Sequence, residues 1–180
     1  KNNLIEYLHY DLDEIFISNL IPYQFEKSFE FNLDNKNEKI QIGGRIDRID
    51  KSIYTNSLSV MDYKTSSSGI STINDIKEGL SFQLPVYILS QNMDNIIQAG
   101  YGIIKSSENK YQIALEDESI FAKSSNKLDR ESFYELLEIT KKNIFEIKRS
   151  IDCADFSVKP KECSDYCIYK DICRLVEFRG

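Results

Sequence analysis

Within the stretch GGRIDRIDKSIYTNSLSVMDYKTSSSG, residues 43–69, Asp47, Asp62 and Lys64 are the residues whose types and spacing could do chemistry. The run reads as two strands joined by a short polar turn. Side chains on a strand alternate faces, so Asp62 and Lys64 point the same way, together with Leu58 and Val60. A hairpin symmetric about Tyr54 and Thr55 puts Asp47 directly opposite Asp62, with Cβ atoms roughly 4.5 to 5.5 Å apart. Two like charges at that spacing repel unless a cation neutralises them. Lys64 is one such cation, and a divalent ion is another. Converging carboxylates that leave water positions open suit Mg2+ or Mn2+. Such an ion sharpens a water nucleophile and absorbs charge on a phosphate, while a neighbouring lysine orients that water or stabilises the developing negative charge. An Asp-x-Lys on a solvated hairpin is common as a plain surface pair, so the surrounding elements decide between the two readings.

The apolar positions Leu4, Ile5, Leu8, Leu12, Ile15, Phe16 and Leu20 recur at helical spacing, and Pro22 forces an ending. One amphipathic helix over residues 4–20 is expected. YQFEKSFEFNL and KIQIGGRIDRI alternate as strands on either side of the polar turn DNKNE, and SIYTNSLSVMDYKT completes an antiparallel meander. Residues 66–75 are rich in Ser, Gly and Thr and read as a loop. A second helix is expected over residues 78–92, with Pro85 either near its start or kinking it. QAGYGIIK and YQIALE read as two further strands. DRESFYELLEITKKNIFEIKR reads as a long helix with Asp129 as its N-cap and basic residues gathered in its last turns. This order predicts an α/β (α+β) domain, a mixed central sheet flanked by helices.

All four cysteines lie in the last 28 residues. Cys163, Cys167 and Cys173 form C-x3-C-x5-C, with Cys153 ten residues earlier. Three cysteines so close together argue for a metal rather than disulfides in an intracellular protein. Four thiolates could hold a structural Zn2+ or a [4Fe-4S] cluster, and spacing alone does not separate the two.

Three strings taken in order, GGRIDRID, LSVMDYKTSS and GLSFQLPVY, resemble the signature of the PD-(D/E)XK nuclease superfamily, and closely that of its RecB/AddB-type exonuclease domains. The resemblance covers roughly residues 20–178 and implies a restriction-endonuclease-like core. It implies that Asp47 and Asp62 are metal ligands, that the backbone carbonyl of Tyr63 is a third oxygen donor, and that Lys64 is the catalytic lysine. It places Gln83 and Tyr87, i and i+4 on one helical face, beside the active site and the DNA strand. Arg48 and Asp50 would be structural or salt-bridging. His9 is a candidate further ligand, because related nucleases place a metal-binding histidine on an upstream helix; that histidine usually sits one helix earlier, so a surface histidine is the favoured reading.

AddB-type nucleases and an iron-sulfur branch of CRISPR-adaptation nucleases carry three cysteines at the place of Cys163, Cys167 and Cys173, usually spaced C-x2-C-x5-C, with a fourth ligand far upstream. The implied cofactors are therefore Mg2+ or Mn2+ and a [4Fe-4S] cluster in a longer protein. The implied partners are DNA and a helicase region or subunit, in double-strand break processing. The alternatives are a stand-alone CRISPR-adaptation nuclease and a non-catalytic domain that keeps the nuclease fold to bind DNA or a partner.

The 180 residues, 41% of them hydrophobic, suffice for one domain with its own core, ending in a cysteine-bearing tail over residues 151–180. The chain opens without methionine, which suggests that it was cut from a longer one. No run of 18 apolar residues and no leader is visible, so no membrane partner and a cytoplasmic location are expected. With 23 basic against 29 acidic residues and a net charge of −6, no global field draws a polyanion. A nucleic-acid partner would need metal ions or local basic patches such as KKNIFEIKR.

Overall fold

The computed structural model describes residues 2–35, 38–119 and 121–157. They fall into two compact units, divided between Ile144 and Phe145.

In the first unit a six-stranded sheet has the order β1-β2-β3-β4-β5-β6. Its strands are β1 (Leu20–Asn35), β2 (Glu38–Ser52), β3 (Leu58–Lys64), β4 (Ile96–Ile103), β5 (Glu108–Leu115) and the short β6 (Lys127–Leu128). β1, β2 and β3 form the expected antiparallel meander. β3 and β4 run parallel, as do β5 and β6, so the sheet is mixed, in line with the expectation. A parallel pair cannot be closed by a tight turn and needs a crossover. Here α2 (Ile73–Lys77) and α3 (Gln83–Leu89) supply it between β3 and β4.

These two short helices replace the single helix expected over residues 78–92. Thr72 caps α2 by accepting from the Asp75 N–H while the Asp75 carboxylate accepts from Thr72, a reciprocal capping box. Gly79 then adopts φ +71 and ends the turn; a Cβ there would lie 2.5 Å from Asn143 Nδ2. α3 starts only at Gln83, which puts Pro85 in its first turn. The amide that Pro85 lacks is one that a helix leaves without a partner, so no kink is needed.

The larger core lies where α2, α3 and α4 (Arg130–Asp152) meet the sheet, with Ile49, Val60, Leu84, Ile88, Ile103 and Phe133 among its buried members. As expected, Asp129 caps α4, accepting from the Ser132 N–H at 2.7 Å.

α1 (Asn2–Ser18) forms where its spacing predicts, but with the opposite face inward. Leu4, Ile5, Leu8, Leu12 and Phe16 are exposed, Leu8 by 51% and Phe16 by 79%. The buried positions are Tyr7, Asp11 and Glu14. The sheet surface beneath them explains the inversion, because it presents Arg48, Asn109 and Tyr111 as partners. Asp11 pairs with Arg48 at 2.6 Å. Glu14 accepts from Asn109 Nδ2 at 2.7 Å and from the Tyr111 hydroxyl at 3.2 Å.

In the second unit, α4 continues to Asp152, where Lys148 pairs with Asp152 along the helix. Ala154, at φ 53, donates to the Ile151 carbonyl and ends it. Cys153 is exposed with a free thiol. Cys163, Cys167 and Cys173 lie outside the described residues. Among the described residues, no helix is long and apolar enough to cross a membrane.

Candidate functional site

The β2–β3 hairpin sets in the expected register, with Arg48 opposite Met61, Ile49 opposite Val60 and Asp50 opposite Ser59. The pairing ends at Arg48, so Asp47 and Asp62 are the next facing residues, where the strands have finished bonding. The Tyr63 N–H donates instead to Asp47 Oδ2 at 2.9 Å and ties that carboxylate to β3. Along β3, Val60 and Asp62 face α3, while Met61 and Tyr63 face α1.

α3 brings the remaining expected residues to Asp62. Gln83 Nε2 donates to Asp62 Oδ1 at 2.6 Å, and the Tyr87 hydroxyl donates to the same oxygen at 3.3 Å. Lys64 Nζ lies 2.7 Å from Asp62 Oδ2, donates to Gln83 Oε1 at 3.1 Å, and sits 5.7 Å from the centre of the Tyr101 ring. Gln83 is thus fixed at both ends of its amide, its oxygen by the ammonium and its nitrogen by the carboxylate. Phe29 stands edge-on to Tyr87 at 6.0 Å. Gly44 makes that possible, since a Cβ on it would lie 2.7 Å from the Phe29 ring.

Burial pushes the Asp62 carboxyl above the usual carboxylate range. Lys64 opposes the rise, and the neighbouring Asp47 charge adds to it. Burial also pushes Tyr87 up to about 12, so its hydroxyl stays protonated and able to donate. Asp62 Oδ2 is buried without a hydrogen-bond partner, although the Lys64 ammonium is close by. The contact is an ion pair without hydrogen-bond alignment, and it leaves that oxygen short of a directed partner. A hard cation bound by Asp47 and Asp62 would supply one, so the donor set fits Mg2+ or Mn2+. Among the described residues no group of three or more His, Cys, Asp or Glu converges, so the two carboxylates would have to be completed by water or backbone oxygen.

The structure does not bring His9 to the carboxylates. It is exposed on α1, whose buried face meets the opposite side of the sheet. Arg48 and Asp50 are salt-bridged at 2.6 Å, as expected, and buried on that opposite side. The sequence reading passed over Tyr7, Asp11 and Glu14 behind the site, and Tyr101 beneath Lys64. For Tyr7, Asp11 and Glu14 the signal is a second stripe along α1, polar and aromatic, at i, i+4 and i+7; Tyr101 stands on β4, where no such pattern marks it.

Comparison with known proteins identifies the family. The family model for the PD-(D/E)XK nuclease superfamily matches residues 5–174. Among solved structures, one titled Crystal structure of SSO0001 is 16% identical; the match covers 94% of this chain and 67% of that one, at a TM-score of 0.38. No curated protein matches. With the family match spanning nearly the whole chain, and with a mixed sheet flanked by helices of the restriction-endonuclease-like kind, the chain belongs to the PD-(D/E)XK nuclease superfamily.

Proposed function

We propose that this domain is a metal-dependent deoxyribonuclease whose catalytic groups are Asp47, Asp62 and Lys64. The observation that carries the reading is Asp62. It is buried, facing a second carboxylate, held on Oδ1 by Gln83 and Tyr87, and left on Oδ2 without an aligned hydrogen-bond donor. With the Lys64 cation beside it, this buried carboxylate facing a second one is the kind of perturbed cluster that marks a functional site, and a divalent cation would satisfy the oxygen that Lys64 leaves without an aligned donor.

Asp47 and Asp62 would hold Mg2+ or Mn2+, with the Tyr63 carbonyl as a third donor. When bound, the cation supplies a water nucleophile at neutral pH and neutralises phosphate charge. Gln83 and Tyr87 keep Asp62 oriented, and the Tyr87 hydrogen bond favours its ionised form against the effect of burial. Lys64, 27% exposed at its side chain, reaches the open side of the site, where its ammonium can donate to a phosphate oxygen. Hydrolysis then consists of water adding to phosphorus, the phosphorus–oxygen ester bond breaking, and the water's proton passing to the departing oxygen.

The order GRID, DYK and QLPVY supports an exonuclease of the RecB/AddB type, acting with a helicase region or subunit in double-strand break processing. The C-x3-C-x5-C of Cys163, Cys167 and Cys173 supports a [4Fe-4S] cluster completed by a cysteine outside this chain. An absorbance band in the visible blue, in anaerobically purified full-length protein, is the expected sign of it.

The test is degradation of single-stranded DNA with Mg2+. Asp62→Ala and Lys64→Ala should each abolish it in a protein that still melts cooperatively. Undiminished cutting by either variant would sink the assignment.

A further inference from the structure

Behind the site, on the face of the sheet covered by α1, lies a buried polar cluster that the proposed chemistry does not use. Arg48 is at its centre. Its Nε donates to Asp50 Oδ1 at 2.6 Å and its Nη1 to Asp11 Oδ2 at 2.6 Å. Burial opposes the guanidinium charge, but Asp50 together with bonds to Tyr63 and Asp11 outweighs burial and raises its pKa, so it stays charged. Held on two carboxylates, the same Nη1 donates to the Tyr63 hydroxyl at 3.2 Å. The Tyr63 ring also stands edge-on to Tyr7, with centroids 6.0 Å apart and planes at 84°. Tyr7 in turn is fixed by donating to Asn109 Oδ1 at 2.8 Å. Gly102 keeps this corner tight, since a Cβ there would lie 2.3 Å from the Tyr7 hydroxyl and 2.9 Å from the Tyr63 ring.

Tyr63 is the residue that connects this rear cluster to the front. Its ring is held behind the sheet, and its backbone N–H is the donor that holds Asp47 Oδ2 at 2.9 Å. It also lies between Asp62 and Lys64 in sequence, so any shift of its backbone moves all three candidate catalytic groups together.

We propose that Arg48, Asp11 and Tyr7 are positioning residues for the metal site, acting through Tyr63: the rear clamp fixes the strand segment that sets the distance between Asp47 and Asp62. The proposal rests on the metal-site reading above. Buried ion pairs of this kind are often replaceable by packed apolar groups with no loss of stability, so fold stability alone gives little reason for one here. Constellations that bind metal or react tolerate only about 0.5 Å of looseness, and although β2 stays paired with β1 and β3 with β4, the β2–β3 ladder ends at Arg48, so no strand pairing ties Asp47 to Asp62 across the site.

The test is Tyr63→Phe, which keeps the ring and removes only the oxygen that Arg48 holds. Three readouts are needed: Mn2+ affinity of the metal-free protein by calorimetry, kcat and KM on single-stranded DNA, and Tm in chelator. Mn2+ binding should weaken about three- to tenfold and kcat should fall by a similar factor, with KM unchanged. Asp11→Asn, which loosens Arg48 from the α1 side without touching β3, should move the same readouts in the same direction. Leu136→Val, in the core beneath α4, should lower Tm while keeping wild-type Mn2+ affinity. Wild-type affinity and kcat in both Tyr63→Phe and Asp11→Asn, whatever their Tm, would overturn the clamp and leave the metal site standing. A wild-type protein that neither binds Mn2+ nor cuts DNA overturns both.

Discussion

Asp47→Asn should make the metal-free protein more stable and the protein inactive. Asparagine is isosteric with aspartate, and its amide oxygen can take over the bond from the Tyr63 N–H, so the fold loses no hydrogen bond. What it loses is one of two facing negative charges. At the roughly 5 Å expected across strands, and with an effective dielectric between that of water and about 20, their repulsion is about 1 to 3 kcal/mol. For a chain of this size that corresponds to a rise in Tm of about 3 to 8 °C, read by differential scanning fluorimetry in chelator. The new amide nitrogen can also donate toward Asp62, and relief from the Asp47 charge lets the Asp62 carboxyl fall back toward its ordinary range. In the same melt, Mn2+ should raise the Tm of the wild type and leave the variant unmoved, because a neutral ligand no longer balances the cation. Two results would refute the reasoning: a variant more than about 1 kcal/mol less stable than wild type, or a variant with the full Mn2+-dependent rise.

The pH dependence of the metal-free fold follows from two carboxyls raised in the native state. Burial lifts Asp50 to about 6 even with Arg48 beside it, and burial likewise lifts Asp62. A raised acid prefers its proton in the folded state, so its contribution is full at low pH and is lost as pH climbs through the native value. Tm in chelator should therefore fall between about pH 4 and pH 6, with at most about 3 kcal/mol traceable to Asp50; a flat or rising trace counts against it. Gly79→Ala should cost about 1 to 3 kcal/mol, from the left-handed backbone and from the 2.5 Å approach to Asn143. Thermal melts of Gly79→Ala alone and with Asn143→Ala separate the two contributions, since only the steric one is relieved in the double variant.

The hairpin was legible in the sequence because strand alternation and a short polar turn leave little freedom in register, and register alone puts Asp47 against Asp62. Gln83 and Tyr87 were legible as partners on one helical face, although the helix that carries them is shorter than its pattern suggested. Thr72-Ile-Asn-Asp75 held the capping box that starts α2, but it lay inside a Ser-rich stretch whose composition argued for a loop. α1 failed for a deeper reason. Its apolar stripe predicts burial only if the surface beneath is apolar, and here that surface carries Arg48, Asn109 and Tyr111. A local pattern contains no information about partners that come from strands 40 and 100 residues away.

The inverted seating of α1 also changes what its release would cost. Most helices leave a core by exposing hydrocarbon, which raises the heat capacity of the chain. α1 already shows water its Leu4, Leu8, Leu12 and Phe16 side chains, and lifting it would wet Asp11, Glu14 and Arg48 along with the rings of Tyr7 and Tyr63 and the side chain of Met61. Exposed polar surface lowers heat capacity and exposed rings raise it, so the two oppose and the local opening of this helix would carry a small heat-capacity change. Its attachment would then follow a nearly straight line with temperature, where the remainder of the domain follows a dome.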